Sequence, residues 1–208
     1  MSHQTAQMSD QTPRIAPLRA PYAPGVETML AKWMPPASDA EPLRLFRTLA
    51  VHEQLMSRMR PLGAGILGAS ARVAPQLREI MIHRTCALTG AQYEWGVHAV
   101  AFGEPLGLSR TQMHCTVHGD WSDACWQPEQ AIVFRLADEL HETSTISEEL
   151  WQALASHLDE PQILELIVTA GWYHVIAYLC NGVRVQQEEW APGFPPASVA
   201  EPGRQPPS

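Results

Sequence analysis

Lysine is almost missing from this chain: Lys32 is the only one in 208 residues. Charged residues make up 17% and the formal net charge is −8. Phosphate binding needs clustered Lys and Arg, so a nucleic-acid surface is excluded. A basic patch for an anionic membrane is excluded for the same reason. No apolar run approaches the ~20 residues that a bilayer span requires. The opening residues, MSHQTAQMSDQTPR, lack the apolar centre of a secretory signal, and the expected compartment is the cytoplasm. No alternating strand pattern stands out, no internal repeat can be defended, and no glycine-rich loop follows a strand, so nucleotide binding has no support. The cysteines, Cys86, Cys115, Cys125 and Cys180, are dispersed and form no C-x-x-C. In a cytosolic chain, dispersed cysteines read as small buried hydrophobes.

What remains is helical. Prolines at 13, 17, 21, 24, 35, 36 and 42 make residues 1–42 an extended, partly disordered arm, with one helical turn around Val26–Trp33. Apolar residues at 43, 45, 46, 49, 50, 55, 56 and 59 predict a helix that Pro61 and the glycines after it break. Pro75 opens a helix to about Leu88, closed by Thr89-Gly90. Further helices are predicted from Ala91 to Leu106, through Met113–Val117 behind an N-cap at Ser109, from Pro128 to Leu140, from Ser147 to Leu158, and from Pro161 to about Gln187. Residues 191–208, rich in Pro, Gly and Ser, read as a disordered tail. The expectation is one all-α domain over residues 43–190 between two loose ends.

Reactive side chains concentrate in Glu79–His98, EIMIHRTCALTGAQYEWGVH. Glu79 and His83 stand at i, i+4, as do Glu94 and His98, so each pair shares a helix face. If the two helices pack antiparallel through Thr89-Gly90, the carboxylates and imidazoles converge. Such a cluster suits proton transfer, because a carboxylate raises the pKa of a nearby imidazole. His98 is the candidate proton donor, with Glu79 or Glu94 as its partner. Arg84 could anchor a substrate carboxylate. It could equally tie helices together through Asp138 or Glu139. Tyr93, His83, Tyr173 and His174 are candidate pocket residues. His114 and His118, also at i, i+4, have the spacing of a zinc pair. No third ligand pattern follows them, so no metal site is assigned, and no cofactor is called for.

The motifs LREI (77–80), Arg84, YEWGVH (93–98), ADELH (137–141), Trp151 and ELIVTAGWYHVIAYLCNGVRV (165–185) together resemble the carboxymuconolactone decarboxylase family, with its AhpD-like helical fold, over residues 43–189. The resemblance implies a helical subunit that forms a homo-oligomer, a trimer or hexamer, and binds a small molecule. One branch of that family reduces peroxides with a redox C-x-x-C-x-x-x-H helix; the other lacks the thiols and includes the lactone decarboxylase. Aligned to the redox motif, the thiols fall on Ala91 and Glu94, the histidine on His98 and the upstream acid on Glu79. The acid and the imidazole match; both thiols are missing. The resemblance therefore implies a cofactor-independent acid–base enzyme that decarboxylates or isomerises a small carboxylated lactone or keto acid, in place of an alkylhydroperoxidase. A non-catalytic oligomeric binding protein is the third reading.

Overall fold

The computed structural model describes residues 12–35 and 40–197, and among them every regular element is helical. The helices are α1 (Pro24–Trp33), α2 (Arg44–Leu49), α3 (Glu53–Leu67), α4 (Pro75–Leu88), α5 (Gln92–His98), α6 (Arg110–His118), α7 (Pro128–Thr143), α8 (Glu148–Ala155) and α9 (Glu160–Val183). The beginning of the expected N-terminal disorder (residues 1–11) and the end of the expected tail (198–208) lie outside the described residues.

Helix α4 is the axle. Leu77, Arg78, Glu79, Ile80, Met81, Ile82, His83, Thr85 and Cys86 are all buried, so it has no solvent face. It packs against α5, α6, α7 and α9, and apolar side chains from these helices and α8 close one core around it. A second apolar cluster joins α1 and α2 to Tyr93 and Val97 of α5 and Ile176 and Cys180 of α9. Helix α5 is thus a wall between two cores, and its seven residues bring Glu94 and His98 inward.

Local chemistry explains most boundaries. Pro75 and Pro128 occupy first turns, where the missing N–H costs nothing. Ser109, Ser147 and Asp159 each accept the N–H of the residue three positions on, as N-caps. Gly90 adopts φ +66°, a left-handed conformation that ends α4 at little steric cost. The Ala91 N–H then bonds back to the Cys86 carbonyl at 2.8 Å.

Several sequence expectations need correction. The helix predicted from Leu43 breaks at Ala50–His52, a short 3₁₀ turn, and His52 Nδ1 accepts the Leu55 N–H to restart it. Pro61 does not end α3, which continues to Leu67. Pro61 and Ser57, whose carbonyl loses its partner, are both exposed, so water can take that bond. Burial of Met56 and Ile66 holds both halves. The turn at Val26–Trp33 is a full helix, α1. The α-helix opened after Ala91 stops at His98 and passes into a π-helical turn, Ala99–Gly103. Helix α9 is long and apolar enough, by length and composition, to cross a membrane, which the sequence reading missed because His174 interrupts the run. Here its Ile163, Leu166, Ala170, Tyr173, Ile176 and Ala177 lie buried in the protein.

The residues after α9 form a strap along α5. Ala191 is buried, and Phe194 meets the Trp95 ring edge-on with centroids 5.7 Å apart. The strap is pinned at Tyr93, whose hydroxyl donates to Glu188 Oε1 at 2.6 Å and accepts the Leu45 N–H at 3.1 Å. The Arg44 N–H donates to the same Glu188 oxygen at 2.6 Å. Over Gly96 the Pro192 carbonyl lies 2.0 Å from where a β-carbon would stand, so only glycine fits there. We expect Tyr93→Phe to lower stability by about 1–3 kcal/mol in a denaturant melt, because it removes one of two close donors to a buried carboxyl and leaves the Leu45 N–H without its acceptor. Gly96→Ala should instead release the strap, seen as faster amide exchange over residues 187–195 with α4 still protected.

Candidate active site

His98 sits where α4, α5 and α9 meet, and each helix supplies one partner. From α4, Glu79 Oε2 accepts from His98 Nδ1 at 2.8 Å. From α9, the Tyr173 hydroxyl lies 3.0 Å from His98 Nε2. From its own helix, Glu94 Oε1 stands 3.5 Å from the same Nε2. Glu79, Glu94, His98 and Tyr173 are all buried. The Phe102 ring, one helical turn beyond His98 in the π segment, covers the imidazole with centroids 4.9 Å apart. Phe102 is half-exposed and its neighbours Val100 and Ala101 are exposed, so this is the thin side of the site. π-helical turns recur at functional sites because they re-aim side chains within a helix.

The electrostatics follow from the geometry. Burial alone would lower the His98 pKa, but the Glu79 carboxylate and its hydrogen bond, with help from Glu94, raise it to about 9. Burial pushes Glu79 up; His98, with His83 and Arg78, reverses this and holds it below its ordinary value. The pair is therefore an imidazolium and a carboxylate at neutral pH. The second imidazole behaves oppositely. His83 is fully buried, and desolvation lowers its pKa to about 4 against the pull of Glu79. Neutral His83 donates Nδ1–H to the Glu79 carbonyl at 2.7 Å. Among the described residues, Glu79 Oε1, Glu94 Oε2, His83 Nε2 and Arg78 Nε are buried without a hydrogen-bond partner. Buried polar atoms are rarely left so, and these four lie together around the Glu79 carboxylate and the His98 imidazole.

Thiol chemistry is disfavoured here. Ala91 and Glu94 carry no thiol. Cys86 and Cys180 are buried nearby, and desolvation, then the charge of Glu94, push both thiols well above their ordinary value. A thiol held protonated is a poor nucleophile. Cys115 and Cys125 contact each other on the edge of the core, where burial and that contact push Cys115 up to about 12.

The structure brings together Glu79, His83, Glu94, His98 and Tyr173, and leaves three sequence candidates outside. Arg84 donates Nε–H to Asp138 at 2.6 Å and Nη1–H to the Thr116 carbonyl at 3.2 Å, with its guanidinium 4.4 Å from the Phe134 ring centroid. It ties α4 to α6 and α7. Tyr93 is the pin of the strap. His174 bonds the Ala170 carbonyl and stacks on His141, on a different face of α9 from Tyr173. Phe102 and Arg78 were not singled out in the sequence. The i, i+4 spacing of Phe102 from His98 was the available signal for the first. For Arg78, which lies 3.5 Å from Glu79 Oε1, adjacency to the acid was the only hint. His114 and His118 have rings 4.9 Å apart, and His118 Nε2 donates to the Pro195 carbonyl at 2.7 Å. Among the described residues no group of three or more His, Cys, Asp or Glu is arranged to hold a metal.

No family model matches the chain, and no curated protein does. Solved structures do. The debrominase Bmp8, as a cysteine-to-alanine variant in complex with 2,3,4-tribromopyrrole, is similar with a TM-score of 0.67 and 15% identity, over 88% of this chain and 95% of that one. Bmp8 without ligand gives a TM-score of 0.65 and 14% identity, over 85% and 92%. A protein of unknown function from Agrobacterium tumefaciens, named as a candidate antioxidant defence protein AhpD, gives 0.59 and 14% identity, over 67% of this chain and 94% of that one. At such identities the likeness shows the architecture alone: this chain has an all-helical, AhpD-like fold.

Proposed function

We propose that the chain is a cofactor-independent acid–base enzyme acting on a small carboxylated lactone or keto acid, with His98 as its proton donor. The observation that carries the reading is a single imidazole fixed at Nδ1 by a buried carboxylate. Its Nε2–H faces a tyrosine hydroxyl and a second carboxyl. Glu79 keeps the ring charged and oriented. Nε2 then holds the one transferable proton, at neutral pH, in a site with little water.

In a decarboxylation the substrate's carboxylate leaves as CO₂ and its bonding electrons pass into the conjugated carbonyl. Moving from a charged carboxylate to neutral CO₂ is favoured where solvation is poor. The apolar faces of Phe102 and Tyr173 supply that surface. The dienolate is protonated at carbon by His98 Nε2–H, and Glu79 stabilises the imidazolium before transfer. An isomerisation uses the same parts, with Glu94 taking the proton that His98 replaces elsewhere on the substrate. The complex of the debrominase with 2,3,4-tribromopyrrole supports a small-molecule site in this fold. The suppressed thiols at this centre argue for proton transfer over peroxide reduction.

Two outcomes test the reading. Against a panel of small γ-lactone carboxylates and β-keto acids in D₂O, turnover should place one deuteron on the product carbon. His98→Gln and Tyr173→Phe, checked as folded by circular dichroism, should reduce kcat, the former by about 10²–10⁴-fold. Wild-type rates in His98→Gln would eliminate His98 as the donor. The pH dependence follows from the shifts. The rate should be flat near neutrality and fall above about pH 9 as the imidazolium is lost. Stability should track the same groups. The contribution of His98, with a raised folded-state pKa, is complete below its unfolded value of 6.5 and disappears as pH rises through about 9. That of His83, with a lowered one, is lost as pH falls from 6.5 toward about 4. Thermal melts should therefore peak near pH 6.5, and His98→Gln should remove the part of the alkaline limb that His98 contributes.

A further inference from the structure

The outer face of α9 is a line of uncharged residues: Leu164, Val168, Gly171, Val175, Tyr178 and Gly182, all exposed. Their spacing alternates four and three, the heptad rhythm that keeps a seam on one side of a helix facing another helix. The seam runs from Leu164 to Gly182, 18 steps along the helix or about 27 Å. Its large members are well exposed, Leu164 at 62% and Tyr178 at 68%. Isolated apolar residues on a surface mean little; a contiguous row marks an interaction site.

The two glycines are informative. A glycine inside a helix costs about 1 kcal/mol relative to alanine, and neither of these has a neighbour that requires it: a β-carbon at Gly171 or Gly182 would meet nothing within 4 Å. Gly63 and Gly96, by contrast, are pressed by Trp172 and Pro192. The space over Gly171 and Gly182 is room for something outside this chain.

The seam is complementary to itself when reversed. About a two-fold axis at residue 173, Leu164 faces Gly182, Val168 faces Tyr178, and Gly171 faces Val175 of a second copy. Leucine and valine thus meet glycine, and tyrosine meets the smaller valine. The ends match in charge as well. Asp159 and Glu160 stand at the start of α9. At its end Arg14 donates to the Gly182 carbonyl at 2.9 Å and Arg184 is the C-cap residue. An antiparallel partner brings acids to arginines and opposes the two helix dipoles.

We propose that α9 forms a two-fold antiparallel interface with α9 of a second copy of this chain, in the register that pairs Gly171 with Val175. A dimer, or a larger assembly of dimers, follows; an odd-numbered ring without this contact does not. Tyr173 lies at the axis with its side chain turned inward to His98, so the pairing stiffens the helix that carries one wall of the candidate site. The interface stands on the seam alone and does not depend on the proposed chemistry.

Multi-angle light scattering of the full chain should give an even multiple of 23.0 kDa. Gly171→Leu, which the subunit has room for, should remain folded by circular dichroism, yet give a particle of half the mass or less. Tyr178→Glu should do the same. For the register, Gly171→Cys and Val175→Cys proteins mixed under mild oxidation should give a cross-linked pair that neither gives alone. A monomeric or odd-numbered wild type, unchanged mass in both seam variants, or cross-linking of either single variant by itself, as a parallel seam requires, would each overturn the proposal. So would a monomer that floats with phosphatidylglycerol vesicles, since the seam would then face lipid.

Discussion

A carboxylate removed from water is tolerated only beside a compensating charge, and the Glu79–His98 pair is the place where this fold meets that condition. Glu79 is wholly buried on a helix with no solvent face. Its partner must come from another helix, held at hydrogen-bond distance. The left-handed Gly90, the short α5 and the strap over Gly96 all fix where His98 stands. Removing the imidazole would leave a bare buried carboxylate, a loss that typically costs about 3–5 kcal/mol. The pair is thus a structural constraint as well as a candidate catalytic device. Its chemistry is best read from the other ring nitrogen, Nε2, which faces a hydroxyl and a second carboxyl.

Two imidazoles one helix apart, both buried, end in opposite protonation states. The difference is in what their nitrogens touch. His98 Nδ1 meets a carboxylate oxygen; His83 Nδ1 meets a backbone carbonyl and stands 3.9 Å from that same carboxylate oxygen. One carboxylate cannot fully compensate two cations in a desolvated site, and the nearer, better-aligned ring takes the proton. The result is a fixed acid beside a fixed neutral base, the separation of pKa values that acid–base sites require.

Much of this was legible in the chain. The i, i+4 pairs Glu79/His83 and Glu94/His98, with a turn between them, were enough to anticipate convergence, because helix periodicity decides which residues share a face. The all-helical fold was legible for the same reason. Three things were not. The role of Tyr93 is set by Glu188, which lies 95 residues away and which no local pattern reveals, whereas the tie from Arg84 to Asp138 was one of the two roles the sequence left open for it. Pro61 reads as a helix breaker only while its surroundings are unknown; tertiary burial on both sides overrides the lost bond. The strap over α5 has the composition of a tail and is held by long-range contacts at Tyr93, Trp95 and Gly96.

The suppressed thiols are best understood together with the charges around them. A redox pair needs thiolates, and thiolates need positive potential nearby. Here Ala91 has no ionisable group and Glu94 adds a carboxyl, so the local potential is made more negative. Cys86 and Cys180 lie within reach of that potential, and both are driven toward the protonated thiol. The same carboxyl groups drive His98 toward the protonated imidazolium. One electrostatic field therefore suppresses the nucleophile and supports the acid. The Glu94 side chain belongs to that field: it stands 3.5 Å from His98 Nε2, and its charge raises both thiols.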